Sequence, residues 1–182
     1  MTRLSRSPKK VGEQAELAFM QRAVALGLTV ARPFGDSAPY DVIVDRGPVR
    51  RRKRLVRVQV RSTRVPNSRC FRVSCRLQGD TRSFTADDID FLAAWVVPYD
   101  AWYIIPAHKL PTSEIKLFPH VPRSTSRTER YREAWHLLGA SRDHDAGDIA
   151  HPERYKKSWL PPVGHSAGRR SKRSFEDGCR QR

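Results

Sequence analysis

The sequence has few cysteines and few acidic residues for its length. Its three cysteines, Cys70, Cys75 and Cys179, are an odd number without a Cys-x-x-Cys pair, so they indicate neither a disulfide framework nor a zinc ribbon. A reducing cytoplasm fits this cysteine usage. Acidic residues number 19 against 35 lysines and arginines, which gives a net charge of +16 and a pI of about 10.7. Such an excess indicates a polyanionic partner, either nucleic acid or an anionic membrane surface.

Long apolar runs are absent as well. No segment is apolar over the length needed to span a bilayer, and no basic helix shows a strong apolar face, so both patterns argue against a membrane partner. The basic, serine-rich N-terminus lacks the apolar segment of a signal peptide. The composition therefore favours a cytoplasmic, nucleoid-associated protein that binds nucleic acid.

The chain is long enough for one domain of ordinary size with tails. Residues 1–10 predict a basic flexible arm, and residues 11–140 carry the apolar periodicity of a folded domain. After Ala140 the composition turns to His, Asp, Gly, Pro, Lys and Arg, with few apolar residues. Residues 141–182 are therefore predicted to form a basic, disordered tail.

Two segments have the three- and four-residue periodicity of a helix. In residues 11–26, Leu17, Met20 and Val24 recur among alanines and predict the buried stripe, with Gly27 as the C-cap. Residues 128–138 predict a C-terminal helix on the same grounds. The apolar stripe of that second helix is formed by Tyr131, Trp135 and Leu138.

Short apolar segments between the two helices predict strands. They are Leu28–Ala31, Tyr40–Asp45, Leu55–Thr63, Cys70–Leu77, Phe91–Val97, Trp102–Ile105 and Ile115–Phe118. Short connections between the early strands predict antiparallel neighbours, and the segments at 91–97 and 102–105 predict a hairpin. The expected fold class is α+β (mixed α/β), with an N-terminal helix packed on a mixed, mainly antiparallel sheet, an extra hairpin and a C-terminal helix.

A polar pair interrupts the third predicted strand. Gln59 and Arg61 lie two residues apart and so share one face, whereas the other face is formed by valines. Asp41 stands at the head of the preceding strand. The segment between the two strands is strongly basic and carries no acid. Its lysines and arginines lie at positions 46, 50, 51, 52, 53, 54, 57, 61 and 64.

These residues carry a resemblance to a known family. Gly12-x-x-x-Glu16 opens the first helix, Asp41 follows a loop that begins with Gly35, and Gln59-Val60-Arg61 lies on the next strand. In order and spacing they resemble the motifs of the PD-(D/E)XK nuclease superfamily. The group I intron-associated endonucleases are the most similar group, and archaeal Holliday-junction resolvases are more distant. The similarity covers approximately residues 9–110.

The resemblance implies a restriction-endonuclease-like core and a DNA endonuclease that uses Mg²⁺ or Mn²⁺. It implies that Asp41, Gln59, Glu16 and the carbonyl of Val60 hold the metal, since Mg²⁺ prefers hard oxygen ligands. It implies that Arg61 stands where the family has a lysine that orients the attacking water. Ser37 matches a polar position beside the site. Nucleases of this superfamily commonly act as oligomers, so the resemblance also implies a homo-oligomer, a dimer or a tetramer.

Two departures from the family pattern keep a second interpretation open. Gln59 offers a neutral oxygen where many relatives have a carboxylate, although the intron-associated group has glutamine here. Arg61 stays protonated and cannot act as a base, although its planar fork can bind a phosphate. The alternative is therefore a catalytically inactive nucleic-acid-binding protein with the nuclease fold. A third interpretation is a structural partner of an acidic protein.

The basic residues near the site predict a DNA-binding surface. An arginine-rich loop next to two polar strands is placed to neutralise backbone phosphates. The predicted nucleic-acid-binding residues are Ser37, Arg50, Arg51, Arg52, Lys53, Arg54 and Arg64.

Overall fold

The structure is a computed structural model that describes residues 7–35, 37–47, 54–77, 82–122 and 124–141. Most of the predicted arm, the centre of the arginine-rich loop and nearly all of the predicted C-terminal tail lie outside these residues. Among the described residues, no helix has the length and hydropathy needed to cross a membrane.

The N-terminal helix, α1, runs from Pro8 to Ala25 and begins three residues earlier than predicted. Ser7 caps it by accepting a hydrogen bond from the backbone N–H of Lys10, and Pro8 occupies the first turn, where its missing N–H costs nothing. A Ser-Pro start is a strong helix signal that the apolar periodicity alone did not reveal.

The predicted buried stripe of α1 is wrong for Leu17 and Val24, whereas Met20 and most of the alanines do pack against the core. The buried residues are Ala15, Phe19 and Ala23, whereas Leu17 and Val24 are 58% and 59% exposed. The helix carries apolar residues around most of its circumference, so periodicity did not single out one face. The face with the aromatic ring packs inward because Phe19 fills space between two tryptophans and the small alanines allow the helix to approach the sheet.

In the described part of the chain, seven strands form two sheets. The strands are β1 (Thr29–Ala31), β2 (Val42–Asp45), β3 (Leu55–Thr63), β4 (Phe71–Ser74), β5 (Phe91–Val96), β6 (Ala101–Pro106) and β7 (Glu114–Leu117). The main sheet has the order β1-β2-β3-β5-β6, and β4 pairs with β7 in a separate two-stranded sheet. Only β3 and β5 are parallel within the main sheet, so the predicted mixed, mainly antiparallel α+β architecture is confirmed.

The main sheet is covered on both faces. On one face, α1 and residues 128–138 (the C-terminal segment) pack against β2, β3 and β6 around Phe19 and Trp135. On the other face, the β4–β7 pair contributes Phe71 and Leu117 to a second apolar cluster. Coverage on both faces explains why β5 reads as a continuous apolar run rather than an alternating one. The predicted hairpin is confirmed as β5 and β6, and it forms one edge of the main sheet.

The predicted C-terminal helix over residues 128–138 is wrong. The segment forms two short 3₁₀ turns, Glu129–Tyr131 and Trp135–Leu138, interrupted by Glu133 with φ of 48°. The backbone N–H of Glu133 donates to the carbonyl of Trp102 at 2.7 Å, and its carboxylate accepts from the N–H of Trp102 at 2.7 Å. These hydrogen bonds attach the segment to β6, so tertiary pairing overrides the local helix preference.

Candidate active site

The polar residues of α1, β3 and the loop before β2 face one open cleft of about 790 Å³. The cleft is formed by the N-terminal half of α1, by Arg32, Pro33 and Gly35, by residues 37–41 and by residues 59–61 of β3. All of the residues predicted to bind metal or act in catalysis line it, together with one predicted DNA-binding residue. They are Glu16, Asp41, Gln59, Val60, Arg61 and Ser37.

Strand register places Asp41 beside the motif on β3. Val42 pairs with Val58 in the antiparallel β2–β3 ladder, and the N–H of Asp41 donates to the carbonyl of Val58 at 3.0 Å. The Asp41 side chain therefore lies across from Gln59 and Val60. Its Oδ2 accepts two hydrogen bonds, one from the N–H of Val60 at 2.7 Å and one from Gln59 Nε2 at 2.6 Å. The carboxylate is fixed in orientation by the strand next to it.

In the described part of the chain, Gln59 is the one polar or charged residue that is buried, with 7% of its surface exposed. Buried polar groups are costly unless they are hydrogen-bonded, and the amide nitrogen meets this requirement through Asp41. The amide oxygen is a hard ligand atom that can bind another partner. A buried amide in an apolar strand is better explained by a function than by packing.

Burial and, to a smaller extent, the neighbouring Glu16 carboxylate together raise the pKa of Asp41 from 3.8 to about 6. The Val60 N–H and the guanidinium groups of Arg61 and Arg32 lower it, but burial outweighs them. The charged form of Asp41 is therefore held in an environment that disfavours it unless a cation is close by.

This raised pKa predicts how stability depends on pH in the absence of metal. The native protein binds the Asp41 proton more tightly than the unfolded chain does, so the free energy of unfolding falls as pH rises from about 4 to about 7. A pKa shift of this size lowers the free energy of unfolding at high pH by at most about 3 kcal/mol. Asp41→Asn removes that loss and is expected to be more stable than the wild type at pH 8 in EDTA.

Chemical denaturation of both proteins at pH 5 and at pH 8 measures this difference. A wild type and a variant with parallel pH profiles would contradict the raised pKa of Asp41.

Glu16 and Arg32 form an ion pair in the cleft. Arg32 Nη2 lies 2.7 Å from Glu16 Oε2, and the side chains are 52% and 16% exposed. Arg32 directly follows β1 and precedes Pro33. No role was predicted for Arg32, although a charged residue at the end of an apolar strand was a usable signal. Lys9, Glu13, Tyr40 and Phe84 also line the cleft without having been predicted to.

Arg61 lies along the cleft wall. Its guanidinium stands over the ring of Phe84 at 5.7 Å, and Nη2 donates to the carbonyl of Arg76 at 3.4 Å. Its Nε is buried and has no hydrogen-bond partner. A buried donor without a partner is a costly feature, and it leaves Arg61 able to donate to an anion that enters the cleft.

The predicted DNA-binding residues are only partly described. Arg50, Arg51, Arg52 and Lys53 lie outside the described residues. Arg54 forms a two-bond pair with Asp45, with distances of 2.8 Å from Nε to Oδ1 and from Nη2 to Oδ2. This pairing lowers the pKa of Asp45 to about 2. Arg64 donates to Gln14 Oε1 at 2.9 Å, and neither Arg54 nor Arg64 lines the cleft.

The donor set in the cleft fits a hard divalent cation. The described residues contain no group of three or more His, Cys, Asp and Glu side chains that could hold a metal ion. The cleft instead combines the carboxylates of Glu16 and Asp41 with the amide of Gln59 and the backbone of Val60. Oxygen donors of this kind suit Mg²⁺, which keeps several waters and needs few protein ligands. The electrostatic strain on Asp41 is also of the sign that a cation relieves.

An aspartate at the head of one strand, a Gln-x-Arg motif on the next and a glutamate on the packed helix lie together, as expected from the resemblance to PD-(D/E)XK nucleases. Residues 6–138 match the sequence profile of the PD-(D/E)XK endonuclease family. Because the match covers more than half of the chain, the protein belongs to this family of nucleases. The predicted resemblance is confirmed.

One solved structure agrees with the family assignment, and a second is similar at a lower level. A bacterial homing endonuclease, I-Ssp6803I, is 30% identical with a TM-score of 0.63, over 74% of this chain and 94% of that one. The Holliday junction resolvase Hjc of Archaeoglobus fulgidus is 14% identical with a TM-score of 0.45, over 72% of this chain and 98% of that one. No curated protein matches the chain.

Proposed function

We propose that the protein is a divalent-metal-dependent DNA endonuclease that hydrolyses phosphodiester bonds in the manner of an intron-homing enzyme. One observation carries the proposal: Asp41 is held by Gln59 and Val60 in an open cleft that Glu16 and Arg61 also line. Family membership supports hydrolysis, and the similarity to a bacterial homing endonuclease supports DNA as the substrate.

Each of the predicted metal-binding and catalytic residues has a proposed role. Asp41, Glu16, the Gln59 amide oxygen and the Val60 carbonyl would hold Mg²⁺ or Mn²⁺. The cation would supply positive charge at the phosphate and lower the pKa of water. The Gln59 amide and the Val60 N–H keep Asp41 in position. Arg61 would bind an oxygen of the phosphate under attack, which a fixed guanidinium does well.

The charge of the whole chain supports DNA as the partner. A net charge of +16 attracts a polyanion, and backbone phosphates would be bound by Arg64, by Ser37 at the cleft wall and by the lysine and arginines at positions 50–53. Arg54 contributes less to this surface in our proposal, because Asp45 already engages its guanidinium. A cytoplasmic, nucleoid-associated location stays a prediction.

Conversion of supercoiled plasmid by the purified protein tests the proposal. Nicked and then linear DNA is expected with Mg²⁺ or Mn²⁺, and no conversion with EDTA. Absence of metal-dependent nicking across a range of salt and pH would exclude the enzyme and favour the binding protein.

Arg61→Ala is expected to slow cleavage about 100- to 1000-fold, the effect of removing one preorganised donor from an anion site. Arg61→Lys restores the family's residue and is expected to stay within about tenfold of the wild type. Single-turnover rates on a labelled duplex measure both variants. Arg72→Ala is the control, because Arg72 pairs with Glu114 on the two-stranded sheet, away from the cleft.

Equal rates for Arg61→Ala and Arg72→Ala would contradict a role for Arg61 in the reaction. If the wild type is inactive and Arg61→Lys gains metal-dependent cleavage, the natural protein is a binder that lost catalysis through this substitution.

The second candidate function is a DNA-binding protein without catalysis, and the arginine at position 61 favours it. In that case DNA affinity is expected to fall with salt at a slope of about −0.9 per phosphate neutralised. The dimer or tetramer also stays a proposal, which sedimentation at several protein concentrations measures.

A further inference from the structure

The ion pair between Arg32 and Glu16 engages a carboxylate that the proposed metal site needs. Arg32 Nη2 lies 2.7 Å from Glu16 Oε2, within charge-assisted hydrogen-bonding distance. Glu16 is largely covered, whereas more than half of the Arg32 side chain faces solvent. The guanidinium therefore stands at the open side of the cleft, where a DNA backbone would approach.

Four charges in the cleft act on one another. The carboxylates of Glu16 and Asp41 line the same cleft as the guanidinium groups of Arg32 and Arg61. A divalent cation held by Asp41 and Glu16 would attract the Glu16 carboxylate and repel Arg32.

The two arginines of this group are held differently. Arg61 is fixed by the ring of Phe84 and by the carbonyl of Arg76. Arg32 is held at the end of a half-exposed side chain by its hydrogen bond to Glu16. An ion pair with one exposed partner contributes little to stability, so a cation can displace the guanidinium at small cost.

We propose that Arg32 is a phosphate-binding residue that Glu16 holds until a divalent cation takes that carboxylate and releases the guanidinium to the DNA backbone. This inference rests on the proposed function, since it assumes a cation at Glu16 and DNA in the cleft. It makes Glu16 a link between metal binding and DNA binding. By reciprocity, DNA bound to Arg32 strengthens the binding of the cation.

Measurements of DNA affinity in EDTA test the release of Arg32 without metal. Glu16→Gln frees Arg32 and is expected to strengthen binding to a short duplex about fivefold, at the lower end of typical coupling between sites. Glu13→Gln is the matched control, because Glu13 lines the same cleft one turn earlier and the variant loses the same charge. We expect about a twofold gain from it, the general effect of removing one negative charge.

The double variant decides the origin of the gain. In the Arg32→Ala background, Glu16→Gln is expected to give no more than the Glu13→Gln control gives. Equal effects of Glu16→Gln and Glu13→Gln, or a fivefold gain that persists without Arg32, would overturn the proposal. Thermal unfolding of each variant checks that it is folded.

Addition of Ca²⁺ tests the metal link in the same binding assay, with the integrity of the duplex checked on a denaturing gel. Wild-type affinity is expected to rise at least about fivefold more than that of Arg32→Ala. Equal gains would overturn the link. A wild type that binds DNA but does not cut it with any metal would refute the proposed enzyme. The measurements of DNA affinity in EDTA would still test the role of Arg32 in that case.

Discussion

Asp41→Asn is expected to slow DNA cleavage at least about 1000-fold while leaving affinity for DNA within about threefold of the wild type. The proposed cation supplies several kcal/mol of charge stabilisation, and each 1.36 kcal/mol is a factor of ten in rate. Asparagine keeps the size of the side chain and an oxygen that can accept from Val60 and Gln59. The local structure is therefore preserved while the negative charge is lost.

Single-turnover cleavage of a labelled duplex with Mg²⁺ and binding of the same duplex in EDTA measure the two effects. Asp45→Asn is the control, because Asp45 ends the same strand and binds Arg54 outside the cleft. It is expected to cut within about threefold of the wild type. If Asp41→Asn cuts as fast as Asp45→Asn, Asp41 is not part of the reaction.

Phe19→Ala is expected to lower the free energy of unfolding by about 3–5 kcal/mol, the usual cost of removing a fully buried phenylalanine. Phe19 is wholly buried, and its ring centroid lies 5.7 Å from that of Trp102 and 5.3 Å from that of Trp135. The three rings join α1, β6 and the C-terminal segment. Their loss would leave a cavity between the helix and the sheet.

Leu17→Ala is the matched control on the same helix, since Leu17 is 58% exposed and its truncation is expected to change stability by less than about 0.5 kcal/mol. Urea denaturation of the two variants measures the contrast. A larger loss from Leu17→Ala than from Phe19→Ala would mean that α1 packs with the stripe first expected from the sequence.

The contrast between Phe19 and Leu17 shows where apolar periodicity stops being informative. Two stripes of similar apolar content run along α1, and only the partner surface decides between them. That surface includes Trp102 and Trp135, which are more than 80 residues away in the chain. The helix predicted for the C-terminal segment was wrong for the same reason, because hydrogen bonds between Glu133 and Trp102 replace the local helix.

The candidate site was easier to predict because local rules determine most of it. The period of two along a strand places Gln59 and Arg61 on one face, and the short β2–β3 connection brings Asp41 beside them. Glu16 followed from the family pattern. Arg32 was missed, since its role depends on a contact with Glu16 that no local periodicity encodes.

The most direct test of the account is a chelation and rescue time course with supercoiled plasmid. The wild-type protein is mixed with plasmid and Mg²⁺, EDTA is added midway, and excess Mg²⁺ is then restored to the same sample. Nicking is expected to begin, to stop with EDTA and to resume with Mg²⁺, because in the proposed function Glu16, Asp41 and Gln59 would hold an exchangeable cation that the reaction needs. Nicking that continues in EDTA, or none at any stage, would contradict the account.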